Sequence, residues 1–190
     1  MTLPDPRTRQ LVDEIVYESC LSLNAQDWNA FLGLCDREAF RYRIINYSPE
    51  IRREQCWMDR DWKGLKTILD LLPRHNSDHS PLTRHATVYK VTMDAVAGEA
   101  DATTLVTVYR TELDGGNSHF ESGQTSLFAV GKYEDRIRVA ADGGAKLLRR
   151  TVTSEVWTKM APPGALFFSP FAVFSRKWQS FSRTPLFCRM

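Results

Sequence analysis

The chain has 190 residues, enough for one domain or one domain with an appendage, and enough to bury a core without disulfide or metal staples. Hydrophobic residues make up 43% and charged residues 25%, the composition of a soluble globular protein. A net charge of +2, from 25 basic and 23 acidic residues, is too balanced to point to nucleic acid or a membrane surface.

Asp5 and Pro6 mark a helix start, with the proline in the first turn. Leu11, Val12, Ile15, Val16, Cys20 and Leu23 then recur at helical spacing. A short second helix follows Asn24; Asp27 is placed to cap it, and Trp28, Phe31, Leu32 and Cys35 form its apolar face. The period then changes. Phe40, Tyr42 and Ile44 alternate with Arg41 and Arg43 as in a strand, which Ser48 and Pro49 end. Met58, Trp62, Leu65, Leu69 and Leu72 return to steps of three and four, predicting a second long helix that Pro73 stops. The polar segment 74–81 reads as a loop.

From Leu82 to Trp157 the chain is strand-like. Four runs are expected, Thr83–Val96, Ala102–Leu113, His119–Arg138 and Ala145–Trp157, with Tyr89, Val91, Met93 and Ala95 sharing a face of the first. Asp114-Gly115-Gly116-Asn117 and Asp142-Gly143-Gly144 are turns, and Gly123 and Gly131 argue for bulges or bends. Helices segregated from an antiparallel sheet define an α+β fold. Strands of about 12 to 20 residues, against a usual ~5 to 6, must twist and curl around the helices, giving a cone plugged by one long helix.

The segment 161–190 differs. Phe167, Phe168, Phe171, Phe174, Trp178, Phe181 and Phe187 are interrupted by Pro162, Pro163, Pro170 and Pro185. It is too broken by proline for a regular element and too aromatic for a solvated tail. The expected organisation is a cone domain over 1–160 and an ordered aromatic arm over 161–190.

The four cysteines, Cys20, Cys35, Cys56 and Cys188, contain no Cys-x-x-Cys pair and read as buried free thiols of a reducing compartment. The N-terminus has no apolar signal region, and no stretch approaches the ~20 apolar residues of a membrane span. A cytoplasmic protein is expected.

Several stretches, in order, resemble the small subunits of Rieske-type ring-hydroxylating oxygenases. That family shares the cystatin-like cone with ketosteroid isomerase and scytalone dehydratase. Val12 to Glu18 resembles the family's opening helix, and Asp27 to Leu32 the segment after it. Arg43 to Tyr47 resembles the first strand, and Thr83-Arg84-His85 the entry to the second. Gly131 to Arg138 resembles a Gly-x-Tyr-x-Asp pattern followed by basic residues, and Leu147 to Val152, with Arg149-Arg150, the final strand. The resemblance spans residues 8 to 157. Two departures stand out: 51–57 lacks the acidic run many relatives carry, and the tail is long.

The resemblance implies a structural subunit without catalytic, cofactor or metal residues of its own. Its partner would be a large (alpha) subunit in an α3β3 assembly, with the small chains forming a trimer. The large subunit would carry a Rieske [2Fe-2S] cluster and a mononuclear Fe(II), and would hydroxylate an aromatic or small organic acid. Relatives hold the cluster through Cys-x-His and Cys-x-x-His, and neither spacing occurs here. A mononuclear site needs two His and a carboxylate converging. His75 and His79 flank Asp78, but in a proline-bounded polar loop; His85 reads as a hydrogen-bonding residue at a strand start, and His119 as solvent-facing.

Subunit contacts are expected on the convex face of the sheet. There Tyr89, Val106, Val108 and Tyr109 stand with Arg84, Lys90 and Arg110, and the arm adds Phe171, Phe174 and Trp178. Two other readings remain at this stage. One is a stand-alone cone-fold isomerase or dehydratase, for which Asp13, Tyr17, Tyr42 and His85 are the candidate ionisable groups. The other is a binding module using the same cone. Asp13, Glu14 and Glu18 fall on the polar face of the first helix, as a solvated or partner-facing surface.

Overall fold

A computed structural model describes residues 3–48, 52–75, 80–113, 123–140 and 143–157. The chain opens with helix α1 (Pro6–Asn24) and the short α2 (Trp28–Leu34). Strands β1 (Arg41–Ser48) and β2 (Arg53–Asp61) follow, then α3 (Trp62–His75). Four long strands complete it: β3 (Leu82–Asp94), β4 (Glu99–Thr111), β5 (Thr125–Val139) and β6 (Ala145–Trp157).

Both N-terminal helices begin where short acidic side chains replace missing backbone acceptors. The Asp5 carboxylate accepts from the amides of Arg7 and Thr8 at 3.0 and 3.1 Å, and Pro6 occupies the first helical position. The Asp27 carboxylate accepts from the Ala30 amide at 2.9 Å. The stripe Val12, Ile15, Val16, Cys20 and Leu23 is buried, as its spacing predicts. Phe40, just before β1, and Tyr42 and Ile44 within it turn inward, while Arg41 and Arg43 pair with Asp59 on the outside.

One six-stranded sheet has the order β2-β1-β6-β5-β4-β3. All neighbours are antiparallel except β1 and β6, which run parallel with Tyr42 opposite Arg150. Register shifts at Val88/Lys90, Val108/Tyr109, Val130/Gly131 and Arg136/Ile137 break the long strands. Each such bulge adds local twist, which lets 13- to 15-residue strands curl rather than stay flat. The core lies on the concave side, where α1 meets β3, β5 and β6 and Phe31, Tyr42, Leu65, Ile137 and Leu147 are fully buried.

The structure corrects several details. The segment before Trp62 is not helix: residues 53–61 form β2, antiparallel to β1 from Ser48↔Arg53 to Arg41↔Asp61. It is an edge strand with five charged residues in nine and few buried positions, so it carries no alternation to read. α3 therefore starts at Trp62, where the Asp61 carboxylate accepts from the Gly64 amide at 2.8 Å. Pro73 does not stop it; the helix runs on to His75, because a proline in the last turn forfeits only one backbone bond. β3 ends at Asp94 in a turn closed by Gly98 (φ +65°), and β5 starts at Thr125 rather than His119. Gly143, with φ +89°, makes the turn expected between the last two strands; its amide donates to Ala140 O at 3.0 Å. Cys56 lies on β2 and is half-buried rather than buried like Cys20 and Cys35, and Cys188 lies outside the described residues.

The Arg9 guanidinium donates to the carbonyl of Val88 at 2.8 Å, covering the bulge of the other edge strand. No helix among the described residues is long and apolar enough to cross a membrane. The arm 161–190 and the turn 114–117 lie outside the described residues.

Candidate functional site

The polar interior of the cone is built from adjacent inward positions of β5 and β6. Tyr133, Asp135 and Ile137 alternate inward on β5, and Arg150 and Val152 on β6. Asp135 and Arg150 are direct cross-strand partners. The Arg150 guanidinium donates from Nε and Nη2 to the two carboxylate oxygens of Asp135 at 2.8 and 2.7 Å, a bidentate pair with neither side chain exposed. Its Nη1 donates to Ser19 Oγ on α1 at 2.8 Å, and Ser19 donates on to the Val16 carbonyl at 2.6 Å.

The Tyr133 ring lies against this pair, its centroid 4.4 Å from the Arg150 guanidinium carbon. Arg84, on β3, completes the cluster. Its Nη1 and its backbone amide both donate to Asn24 Oδ1, at 3.1 and 3.0 Å, and its side chain hydrogen-bonds that of Tyr133. The cluster thus ties the end of α1 to β3, β5 and β6.

Electrostatics follow from burial. Desolvation alone would pull the Arg150 pKa down; the Asp135 charge and hydrogen bonds, with lesser help from Cys20 and Tyr133, outweigh it and hold the guanidinium protonated. Burial pushes the phenols of Tyr42 and Tyr133 up, so both stay neutral donors. The Cys20 thiol is also pushed up by burial, and that of Cys35 to about 12.

This arrangement has the chemistry of a lock rather than a catalyst. An isomerase or dehydratase of this fold needs an ionisable base open to substrate. Asp135 is the one buried carboxylate among the described residues, and Arg150 occupies both its oxygens. The other candidate bases are not brought together. Asp13 pairs with Arg9 on the outer side of α1 at 3.0 Å, Tyr17 is exposed, and His85 lies on the outer sheet face with its ring edge-on to Tyr109. Tyr42 alone lies inside. Among the described residues no three His, Cys, Asp or Glu side chains are placed to hold a metal ion. The described residues therefore offer no ligand set for a Rieske cluster or a mononuclear iron.

The expected contact residues divide by face. Tyr89 is 67% exposed on the outside of β3, while Tyr109 and Arg110 are half-buried. Arg84 is only 7% exposed and Val106 3%, and both lie within the cone, so neither belongs to the convex face. Arg84 and Tyr89, an odd number of residues apart in regular alternation, point to opposite faces; the bulge at Val88/Lys90 then parts Tyr89 from Val91, which is 3% exposed, so these two do not share the face expected of them. Phe171, Phe174 and Trp178 lie outside the described residues, as do His79, His119 and the side chain of His75.

The buried carboxylate of this cone is thus closed by the chain's own arginine. No family model matches the chain, but sequence relatives do. The beta subunit of the methanesulfonate monooxygenase hydroxylase of Methylosulfonomonas methylovora is 39% identical over 128 residues, covering 67% of this chain and 70% of that one. The beta subunit of 2-aminobenzenesulfonate 2,3-dioxygenase from an Alcaligenes species is 30% identical over 142 residues, covering 75% and 87%. The chain belongs to this family, the small subunits of Rieske-type multicomponent oxygenases, and is the non-catalytic subunit of such a complex. Solved structures agree on the fold. A beta subunit assigned to an aromatic-ring-hydroxylating dioxygenase of Novosphingobium aromaticivorans superposes with TM-score 0.66 at 16% identity, over 88% of this chain and 95% of that one. A chain of naphthalene 1,2-dioxygenase gives 0.63 at 18%, over 87% and 84%. A protein of cystatin-like fold from Nostoc punctiforme gives 0.52 at 12%, over 86% and 99%.

Proposed function

We propose that this small subunit serves an oxygenase whose substrate is an organosulfonate. The observation that carries the reading is that both curated relatives are named for sulfonates, one aliphatic and one aromatic. The large subunit would hold the Rieske [2Fe-2S] cluster, the mononuclear Fe(II) and the substrate. The small subunit would brace it in the cytoplasm, as a trimer within an α3β3 hexamer. Its contacts would use Tyr89 and Tyr109 on the outer sheet face, where Leu105 and Leu127 are also exposed, together with the neighbouring Arg110. The arm 161–190, with Phe171, Phe174 and Trp178, would be a separate contact element, because seven large aromatic side chains left in water exceed what soluble proteins tolerate.

The test is co-expression with the large subunit encoded beside it, followed by native mass spectrometry and substrate-dependent oxygen uptake with matching electron-transfer proteins. A 3:3 complex that consumes oxygen with methanesulfonate or 2-aminobenzenesulfonate, and not with naphthalene, is expected. Uptake with naphthalene alone would refute the sulfonate reading; a 1:1 complex would refute the trimeric base. Truncation after Lys159 should leave the cone folded and weaken assembly.

A further inference from the structure

The cone is not filled to its mouth. Beyond the Asp135–Arg150 pair a cavity of about 60 Å³ remains between β1, β3, β4, β5 and β6. Protein interiors leave few voids larger than a water molecule, so one of this size in the middle of a sheet is a feature to be explained. Its wall is mostly apolar, with Val106, Val108, Phe128 and Val152 in it, and Arg84, Lys132, Tyr42, Tyr133 and Thr153 bring the polar side chains.

Arg84 is a buried cation in that wall. It is nine-tenths buried, and Asn24 and Tyr133 fix its guanidinium in one orientation from two sides. A planar fork fixed in a wall is suited to a planar or trigonal oxyanion. The space sets the size of the ligand. One water needs about 10–15 Å³ of such space, so the cavity takes roughly four to six waters or a molecule of about that many heavy atoms. A substituted benzene ring exceeds it.

We infer that the cone of this subunit is a binding site for a short-chain organic anion, an alkanesulfonate of one or two carbons or an alkanecarboxylate of up to three. Its oxyanion accepts hydrogen bonds from Arg84, and its alkyl end packs on Val106, Val108 and Val152. The site binds without reacting, because no carboxylate or histidine lines it, Asp135 being closed by Arg150. The inference goes beyond the substrate reading and does not depend on it, since the site lies wholly in this chain and is assayed without the large subunit.

The experiment uses the full chain, purified alone, with valine methyls labelled with ¹³C. Methanesulfonate is the probe; acetate tests the carboxylate arm. Saturable shifts confined to the methyls of Val106, Val108 and Val152 are expected in the millimolar range or below. Dimethyl sulfone, neutral but of similar shape, and sulfate, charged but without an alkyl end, should each bind at least about tenfold more weakly, the effect of losing a charge-assisted hydrogen bond or the apolar contact. 2-Aminobenzenesulfonate should not enter. Val108→Phe fills the cavity from a half-exposed position, and should abolish the shifts while leaving the circular dichroism spectrum intact. Arg84→Lys keeps the charge but not the fork and should weaken binding about tenfold; if that variant fails to fold, Val108→Phe still decides. Shifts that never saturate or are spread over outer-face residues, or equal binding by Val108→Phe, would overturn the site. So would equal binding of 2-aminobenzenesulfonate or dimethyl sulfone.

Discussion

Replacing Arg150 by methionine tests the account of the cone interior most directly. The change keeps most of the side-chain volume and removes the guanidinium. It deletes two hydrogen bonds to Asp135 and one to Ser19, and leaves a carboxylate with no exposure to water. Removing one partner of a buried pair costs about 3–5 kcal/mol, most of it the uncompensated charge left behind. With a urea m-value of about 2 kcal/mol/M, the unfolding midpoint should fall by roughly 1.5–2.5 M. Asp135→Leu should cost a similar amount for the mirror reason. The double variant, with neither charge, should be within about 1–2 kcal/mol of the parent or more stable, because the desolvation penalty goes with the pair. The assay is equilibrium unfolding followed by fluorescence, at one fixed protomer concentration because self-association adds to apparent stability. If Arg150→Met lost less than about 1 kcal/mol, or if the two single losses simply added in the double variant, the pair would not be the electrostatic lock described.

Other consequences follow from single features. Asp27→Ala removes the cap of α2, a helix of seven residues, and should cost about 1 kcal/mol in the same assay. Asp36 is held below the usual carboxylate range, first by the Ala39 amide and then by the Glu38 amide and Arg138, against some desolvation. A carboxyl with a depressed folded pKa stabilises above its unfolded value and loses that contribution as pH falls through the folded one. The stability gap between the parent and Asp36→Asn should therefore narrow below about pH 4, measured as urea midpoints across pH 2.5–6. Cys56 is half-exposed, whereas burial raises the pKa of Cys20 and Cys35. Cys56 should take up a maleimide in the native protein at pH 7 well ahead of the other two, read by peptide mass spectrometry; equal rates would contradict their burial.

Much of this fold was legible because its helices carry both ends of their signal. Asp5-Pro6 and Asp27 start the helices, and the buried stripe of α1 keeps helical spacing without a break. The last strand was read to its exact bounds because a glycine turn precedes it. β2 was not legible. An edge strand buries little, so Glu54, Asp59, Arg60 and Asp61 replace the apolar residues that alternation needs, and the Met58–Trp62 spacing imitates a helix across the strand–helix junction. Facing is not legible where a strand bulges, as between Tyr89 and Val91, because a single extra residue reverses every later assignment; Arg84 departs from Tyr89 by simple alternation. Asp135 and Arg150 both lie in the family-like stretches, but resemblance does not pair them. The signal was present: Asp135 stands two residues from Tyr133 and from Ile137, at the inward phase of one strand, and Arg150 two residues from Val152 in the next. Opposite charges at the buried phase of adjacent strands must either pair or be misassigned.

The same pair accounts for why a structural subunit retains charge in its core. β5 and β6 are long, rich in threonine and arginine, and interrupted by two register shifts, so apolar packing alone constrains their alignment weakly. With Asp135 opposite Arg150 the alignment has one low-energy solution. A slip by one residue would set Asp135 against the outward Arg149 or the hydroxyl of Thr151 and turn Arg150 out of the cone, stranding a buried carboxylate. Ser19 and Tyr133 extend the constraint to α1, and Arg84 carries it to β3. The Arg150→Met, Asp135→Leu double variant separates stability from this specifying role. If the pair sets the register, the variant should keep its unfolding midpoint yet show doubled amide resonances in β5 and β6 and weaker binding to the large subunit. A double variant with single sharp resonances and full assembly would assign the pair to stability alone.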